Sequence, residues 1–154
     1  MVDVNQNLSK NFLLRELLVS QQATRNNITE QFQPDEAVIK NLTNLCANVL
    51  QPLRDQIKLS LNVSSGYRCP RVNTAIIGAP NSQHIFGEAA DFSVPGKSIE
   101  WAYQKIRESG LPFDQLIQEF DAWVHVSYKT KGNRKQCLRA IKKGKVTVYV
   151  PDNK

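Results

Sequence analysis

The hydrophobic pattern of this 154-residue chain changes period part-way along, and that change limits the folds open to it. Over residues 35–51, Val38, Leu42, Leu45 and Val49 recur at spacings of four, three and four, which marks one face of a helix. Asp35 can cap that helix beside Pro34, and Pro52 should end or kink it. Leu14, Leu17 and Leu18 suggest an earlier helix over 12–25, and Pro70 to Ile77 a short one stopped by Gly78. Lys58 to Val63 alternates apolar and polar, as a half-buried strand does. From Glu88 onward alternation dominates: Glu88–Val94, Gln115–Phe120, Trp123–Tyr128 and Val146–Val150 read as strands. One helix interrupts them, Ser98–Ser109, with Ser98 as cap and Gly110 as stop. The short link between the second and third of these strands makes them an antiparallel pair. Helices first and mainly antiparallel strands later give an α+β class, with N-terminal helices packed on the sheet.

Composition narrows the function. No apolar run approaches the ~20 residues of a membrane helix, and the first ten residues carry no recognisable signal peptide. Three cysteines without a CxxC pair argue against a disulfide framework or a cysteine-rich zinc site. Cys69 precedes Pro70 and has no histidine at catalytic spacing, so it reads as a packed thiol. The net charge of +6 belongs to one segment. Residues 129–145 hold eight of the 20 basic residues and no acid, whereas the remainder has 12 basic against 14 acidic residues. Such a stretch is either a solvated face or a contact for polyanions, and no nucleic-acid motif accompanies it.

The chain has two histidines, His84 and His125. If Val124 and Val126 face the core, Trp123, His125 and Ser127 project from the other side of their strand. Asp91 likewise lies opposite Phe92 and Val94. Should the two strands share a sheet, Asp91 and His125 emerge on one side, and Gly87 lets the chain bend to bring His84 to them. Two imidazoles and a carboxylate with an open fourth position suit a catalytic Zn2+. Glu119 is the first candidate for general base and Asp121, in the connecting turn, the second. Arg68, on a turn after a strand, could hold a substrate carboxylate or a developing oxyanion.

The segment Ser82-x-His84-x-x-Gly87-x-Ala89-x-Asp91 resembles the signature of zinc D-Ala-D-Ala peptidases, the group that includes D-Ala-D-Ala carboxypeptidases and phage L-alanyl-D-glutamate endolysins. Ser65-Gly66-Tyr67-Arg68-Cys69-Pro70 through Asn73 is similar to a second segment of that family. Phe113–Glu119 and Trp123–Ser127 resemble its phage-rich, peptidase-M15-like branch. The resemblance implies a single domain of hedgehog/D-Ala-D-Ala-peptidase type over residues 1–154, with His84, Asp91 and His125 as zinc ligands. Arg68 would bind the substrate's carbonyl or carboxylate and stabilise the tetrahedral intermediate, and Ser82 would help orient the substrate or the metal's ligands. Relatives with a His-x-His ending carry histidine where this chain has Trp123, which is read here as a substrate contact. Several relatives place the catalytic acid three residues before the last histidine. Here that residue is Ala122, so the base is Glu119 or Asp121.

The resulting expectation is a monomeric zinc metallopeptidase that hydrolyses peptidoglycan stem peptides by metal-activated water, as a D-Ala-D-Ala carboxypeptidase or an endolysin-type endopeptidase. It would bind no specific nucleic acid and insert in no membrane. A phage or prophage product made in the host cytoplasm and acting on the cell wall would fit the missing leader. The alternative is a catalytically inactive, zinc-containing module that binds cell wall or a partner, as hedgehog signalling domains use the same fold.

Overall fold

The computed structural model describes residues 1–153. The chain opens with a small hairpin, β1 (Asn7–Ser9) against β2 (Phe12–Leu13), followed by a 3-10 turn over Leu14–Leu17 and a short helix α1 (Gln21–Arg25). The single helix expected over 12–25 is therefore broken in two. Local hydrogen bonds explain the break. Glu16 accepts from the Leu13 N–H at 2.7 Å and tightens the first turn, while Ser20, in an extended conformation, caps a new helix by accepting from the Ala23 N–H. Leu14, Leu17 and Leu18 are all buried, so the apolar cluster was real although its geometry is not that of one helix.

The second helical stretch runs farther than its sequence suggests. Asp35 caps α2 (Glu36–Leu45), a π turn spans Cys46–Leu50, and α3 (Gln51–Ile57) carries the chain on to Lys58. Pro52 does not end it. A proline clashes with the carbonyl four residues back and lacks an N–H. The wider turn ahead of it, in which the Gln51 N–H reaches the Cys46 carbonyl, accommodates the ring within the first positions of α3. Lys58 then takes a left-handed conformation as the helix stop, which delays the next strand to β3 (Asn62–Ser65).

The remaining elements are α4 (Pro70–Ala75), a 3-10 turn at Gln83–Phe86, β4 (Ala89–Ser93), α5 (Ile99–Glu108), β5 (Gln115–Glu119), β6 (Trp123–Ser127), β7 (Gln136–Lys143) and β8 (Val146–Pro151). Strands β3 to β8 form one sheet in the order β3-β4-β6-β5-β7-β8. All its pairings are antiparallel except β5 with β7, which is parallel, so the sheet is mixed. The class is α+β as expected. Strand β7 is new: it lies inside the basic segment 129–145, whose lysines hide the alternation of Leu138 and Ala140.

The sheet has two unlike faces. Ala90, Phe92, Leu116, Val124 and Val126 are fully buried against Leu42, Leu45, Val49 and Leu53 of the N-terminal helical stretch and Ala102, Tyr103 and Ile106 of α5. Helices from both halves of the chain thus cover this face, not the N-terminal ones alone. Each such large side chain contributes roughly 1.5–3 kcal/mol on burial, so the strands are held firmly from one side. The opposite face carries Asp91, His125, Glu119 and Trp123, with a small apolar group of Ile117, Leu138 and Ala140 beside them. Among the described residues, no helix is long and apolar enough to cross a membrane.

Candidate metal centre

Register brings two of the three expected ligands together. Asp91 on β4 sits directly opposite His125 on β6, and both project away from the helical layer. His125 Nδ1 lies 3.0 Å from Asp91 Oδ1. His84 arrives from the 3-10 turn before β4, its Nε2 3.3 Å from the same oxygen. One ligand atom from each of the three lies within 4.8 Å of the others.

Local structure explains how His84 reaches that point. Ser82 caps the turn by accepting from the His84 N–H. Gly87 closes it with φ +73°, and a Cβ there would stand 2.8 Å from the Val38 carbonyl oxygen, so the position requires glycine twice over. The His84 Nδ1–H donates to the Gly66 carbonyl at 2.6 Å, since a carbonyl can only accept. Gly66 itself is packed so tightly on Leu17 that a Cβ would run into the Leu17 carbonyl.

These contacts decide what the site can hold. With Nδ1 protonated, a neutral His84 presents a bare Nε2 to the Asp91 carboxylate. Burial drives His84 toward that neutral form, although Asp91 opposes it. Burial pushes the Asp91 carboxyl up, but the two adjacent imidazoles outweigh it and bring it below the ordinary carboxylate range. Two electron-rich atoms 3.3 Å apart are placed to share a proton or a metal cation. Donors on a tetrahedral zinc at ~2.1 Å stand ~3.4 Å apart, close to the 3.3 Å from His84 to Asp91 and somewhat beyond the 3.0 Å from His125. Nitrogen and carboxylate donors, with the outer bond to Gly66 fixing one tautomer, fit zinc well.

The three residues line a cleft of about 730 Å³ together with Arg68, Ser82, Glu119 and Trp123. Arg68 donates from Nη2 to Ser82 Oγ at 3.3 Å, and its buried Nε has no partner among the described residues. Burial pulls the guanidinium below its usual value, while Asp91 and Glu119 act the other way. Glu119, at the end of β5, is only 8% exposed. Burial raises its carboxyl above the ordinary range, with His125 and Arg68 opposing and Asp91 adding to the rise. Asp121 is placed differently. It is exposed in the β5–β6 turn, bonded to Gln118 through both its backbone N–H and its carboxylate, and lies outside the cleft lining.

The family model for Peptidase M15 matches residues 10–127, well over half of the chain. The chain belongs to the peptidase M15 family. M15 peptidases are zinc metallopeptidases, and the His84–Asp91–His125 group is suited to hold such a metal. No curated protein matches the chain.

Several contributors to the M15 site were not read from the sequence. Gln31 is fully buried and bonds the Leu18 and Tyr67 carbonyls and the Cys69 N–H, which pins the loop bearing Arg68. No pattern around Gln31 marks it. Thr147 and Tyr149 of β8 also line the cleft, beyond the matched segment. Finding them required knowing that β7 exists and carries β8 back past Glu119.

Proposed function

We propose that this M15 peptidase hydrolyses an amide bond of peptidoglycan stem peptides, with Glu119 as general base and acid. The observation that carries the reading is the buried Glu119 carboxylate sharing one cleft with the His84–Asp91–His125 group and Arg68. His84, Asp91 and His125 would hold zinc, which when bound supplies a Lewis acid that lowers the pKa of water. Glu119 takes a proton from the water that attacks the carbonyl carbon. It returns the proton to the nitrogen of the leaving amine as the C–N bond breaks. Its raised affinity for protons suits both steps. Arg68 donates to the carbonyl oxygen as negative charge grows there, or to a substrate carboxylate beside it. Ser82 holds the Arg68 guanidinium in place, and Trp123 forms part of the wall against which the peptide lies.

The substrate class rests on the sequence resemblance to D-Ala-D-Ala and L-alanyl-D-glutamate peptidases and on a chain with an excess of positive charge, suited to an anionic wall. The position of Glu119 favours catalysis over the alternative of an inactive wall-binding module, because a base is at hand although Ala122 occupies the usual place. Zinc-loaded protein should release a free amine from synthetic stem peptides, stop when chelated and resume on zinc addition. Hydrolysis that persists in chelator would contradict the reading.

A further inference from the structure

The cleft has a wall that the family match does not include. The sheet register sets Trp123, Glu119, Ala140 and Tyr149 in one row across β6, β5, β7 and β8. Two strand spacings, ~10 Å, separate Tyr149 from Glu119, and only the small side chain of Ala140 stands between them. A tyrosine ring can cross most of that distance. Partial burial raises the Tyr149 hydroxyl above its ordinary value, and the carboxylates of Glu119 and Asp91 add to the rise. Two residues nearer the hairpin tip, Thr147 faces the same cleft and pairs with Lys142. Lys142 Nζ donates to Thr147 Oγ1 at 2.9 Å and sits 5.2 Å from the centre of the Phe120 ring. Because Thr147 accepts from an ammonium, its own O–H is left as a donor. This end of the cleft therefore presents two hydroxyl donors, with the Lys142 ammonium outside the lining, behind Thr147. The hairpin strands contribute no acid between Gln136 and Pro151.

We propose that Tyr149, Thr147 and Lys142 form a carboxylate-binding subsite for the residue on the leaving-amine side of the scissile bond. The inference rests on the peptidase reading above. Glu119 delivers the proton to the leaving nitrogen, and β8 lies beyond Glu119 from β4 and β6, which carry Asp91 and His125, so the Tyr149–Thr147 wall faces the leaving half of the substrate. Arg68 and Ser82 stand at the histidine side and face the acyl half. Donors of this kind bind a carboxylate more strongly than a neutral amide, because a charged acceptor roughly doubles the strength of a hydrogen bond.

The test is calorimetric binding of two peptides to the zinc-loaded protein, one ending in a free carboxylate on the leaving residue and one ending in its carboxamide. Hydrolysis of both is followed in parallel, with the Glu119→Gln protein used for binding if turnover is fast. The wild type should prefer the carboxylate by ~10-fold or more. Tyr149→Phe and Lys142→Gln should each erase most of that preference and weaken carboxamide binding little. In hydrolysis the same loss should appear mainly in KM. Equal affinity for the two peptides, or a preference that survives both substitutions, overturns the subsite. Selective binding without any hydrolysis would uphold the subsite and overturn the peptidase reading instead.

Discussion

The centre of the sheet and its C-terminal edge are built on opposite terms. Strands β4 and β6 place Asp91 and His125 on a support whose reverse side, with Phe92, Val124 and Val126, is fully buried. Strands β7 and β8 lie at the rim. There Ile141, Val146, Tyr149 and Val150 are all at least 40% exposed, and the lysines surround them. What ties the rim down is polar: Arg139 forks onto Glu100 at 2.7 and 2.9 Å, reaches Asp152 at 2.9 Å and stacks on Tyr103. A metal centre needs ligands fixed within a fraction of an ångström, which close packing supplies. An outer wall of a cleft can be held more loosely. The metal-binding group and the outer wall of the cleft thus draw on separate stability reserves in this molecule.

Substitutions that strike the centre should have the largest effects. Asp91→Ala should lose zinc well beyond the ~10–100-fold that removing an outer partner costs, as read by equilibrium dialysis. Glu119→Gln should keep its zinc while hydrolysis falls by ~100- to 10,000-fold, measured as kcat on a stem peptide. Gly66→Ala should force the Leu17 contact apart and move the carbonyl that orients His84, weakening zinc by ~10–100-fold with the fold intact by circular dichroism. The rim should respond differently. Arg139→Met should lower the urea unfolding free energy by about 1 kcal/mol and leave zinc affinity unchanged, because the network it breaks is half-exposed.

The smallest effect concerns pH. Hydrogen bonding from Arg139 holds the Glu100 carboxyl down to about 2, below its ordinary 4.5. A depressed carboxylate stabilises the fold above its unfolded value and loses that contribution as pH falls through the folded one. The wild type should therefore become less stable relative to Arg139→Met between pH 4.5 and 2, with parallel curves above that window. Curves parallel throughout would separate Glu100 from the stability of the rim.

The sequence disclosed the centre better than the rim for the same physical reason. Strict alternation around Phe92, Val94, Val124 and Val126 announced one buried face, so the residues between them had to point the other way. That alternation, with the resemblance in the segment Ser82–Asp91, was enough to name all three residues that meet. Strand β7 escaped because an edge strand keeps few apolar positions, and Arg139, Lys142 and Lys143 fill the rest. Helix limits failed where single side chains competed with periodicity, as Ser20 and Glu16 did near the N-terminus. Pro52 marks a disturbance of the helix and not its end, because a π turn can absorb a proline that an uninterrupted α-helix cannot. The choice between Glu119 and Asp121 depended on the β5–β6 turn, where Gln118 holds Asp121 outside the cleft.

The most direct test of the account is digestion of purified peptidoglycan by the zinc-loaded protein, with released fragments read by mass spectrometry and zinc counted in the same sample. One zinc per chain is expected, with fragments whose masses mark a single type of stem-peptide cleavage, absent with Glu119→Gln. An intact wall in the presence of one bound zinc per chain would contradict it.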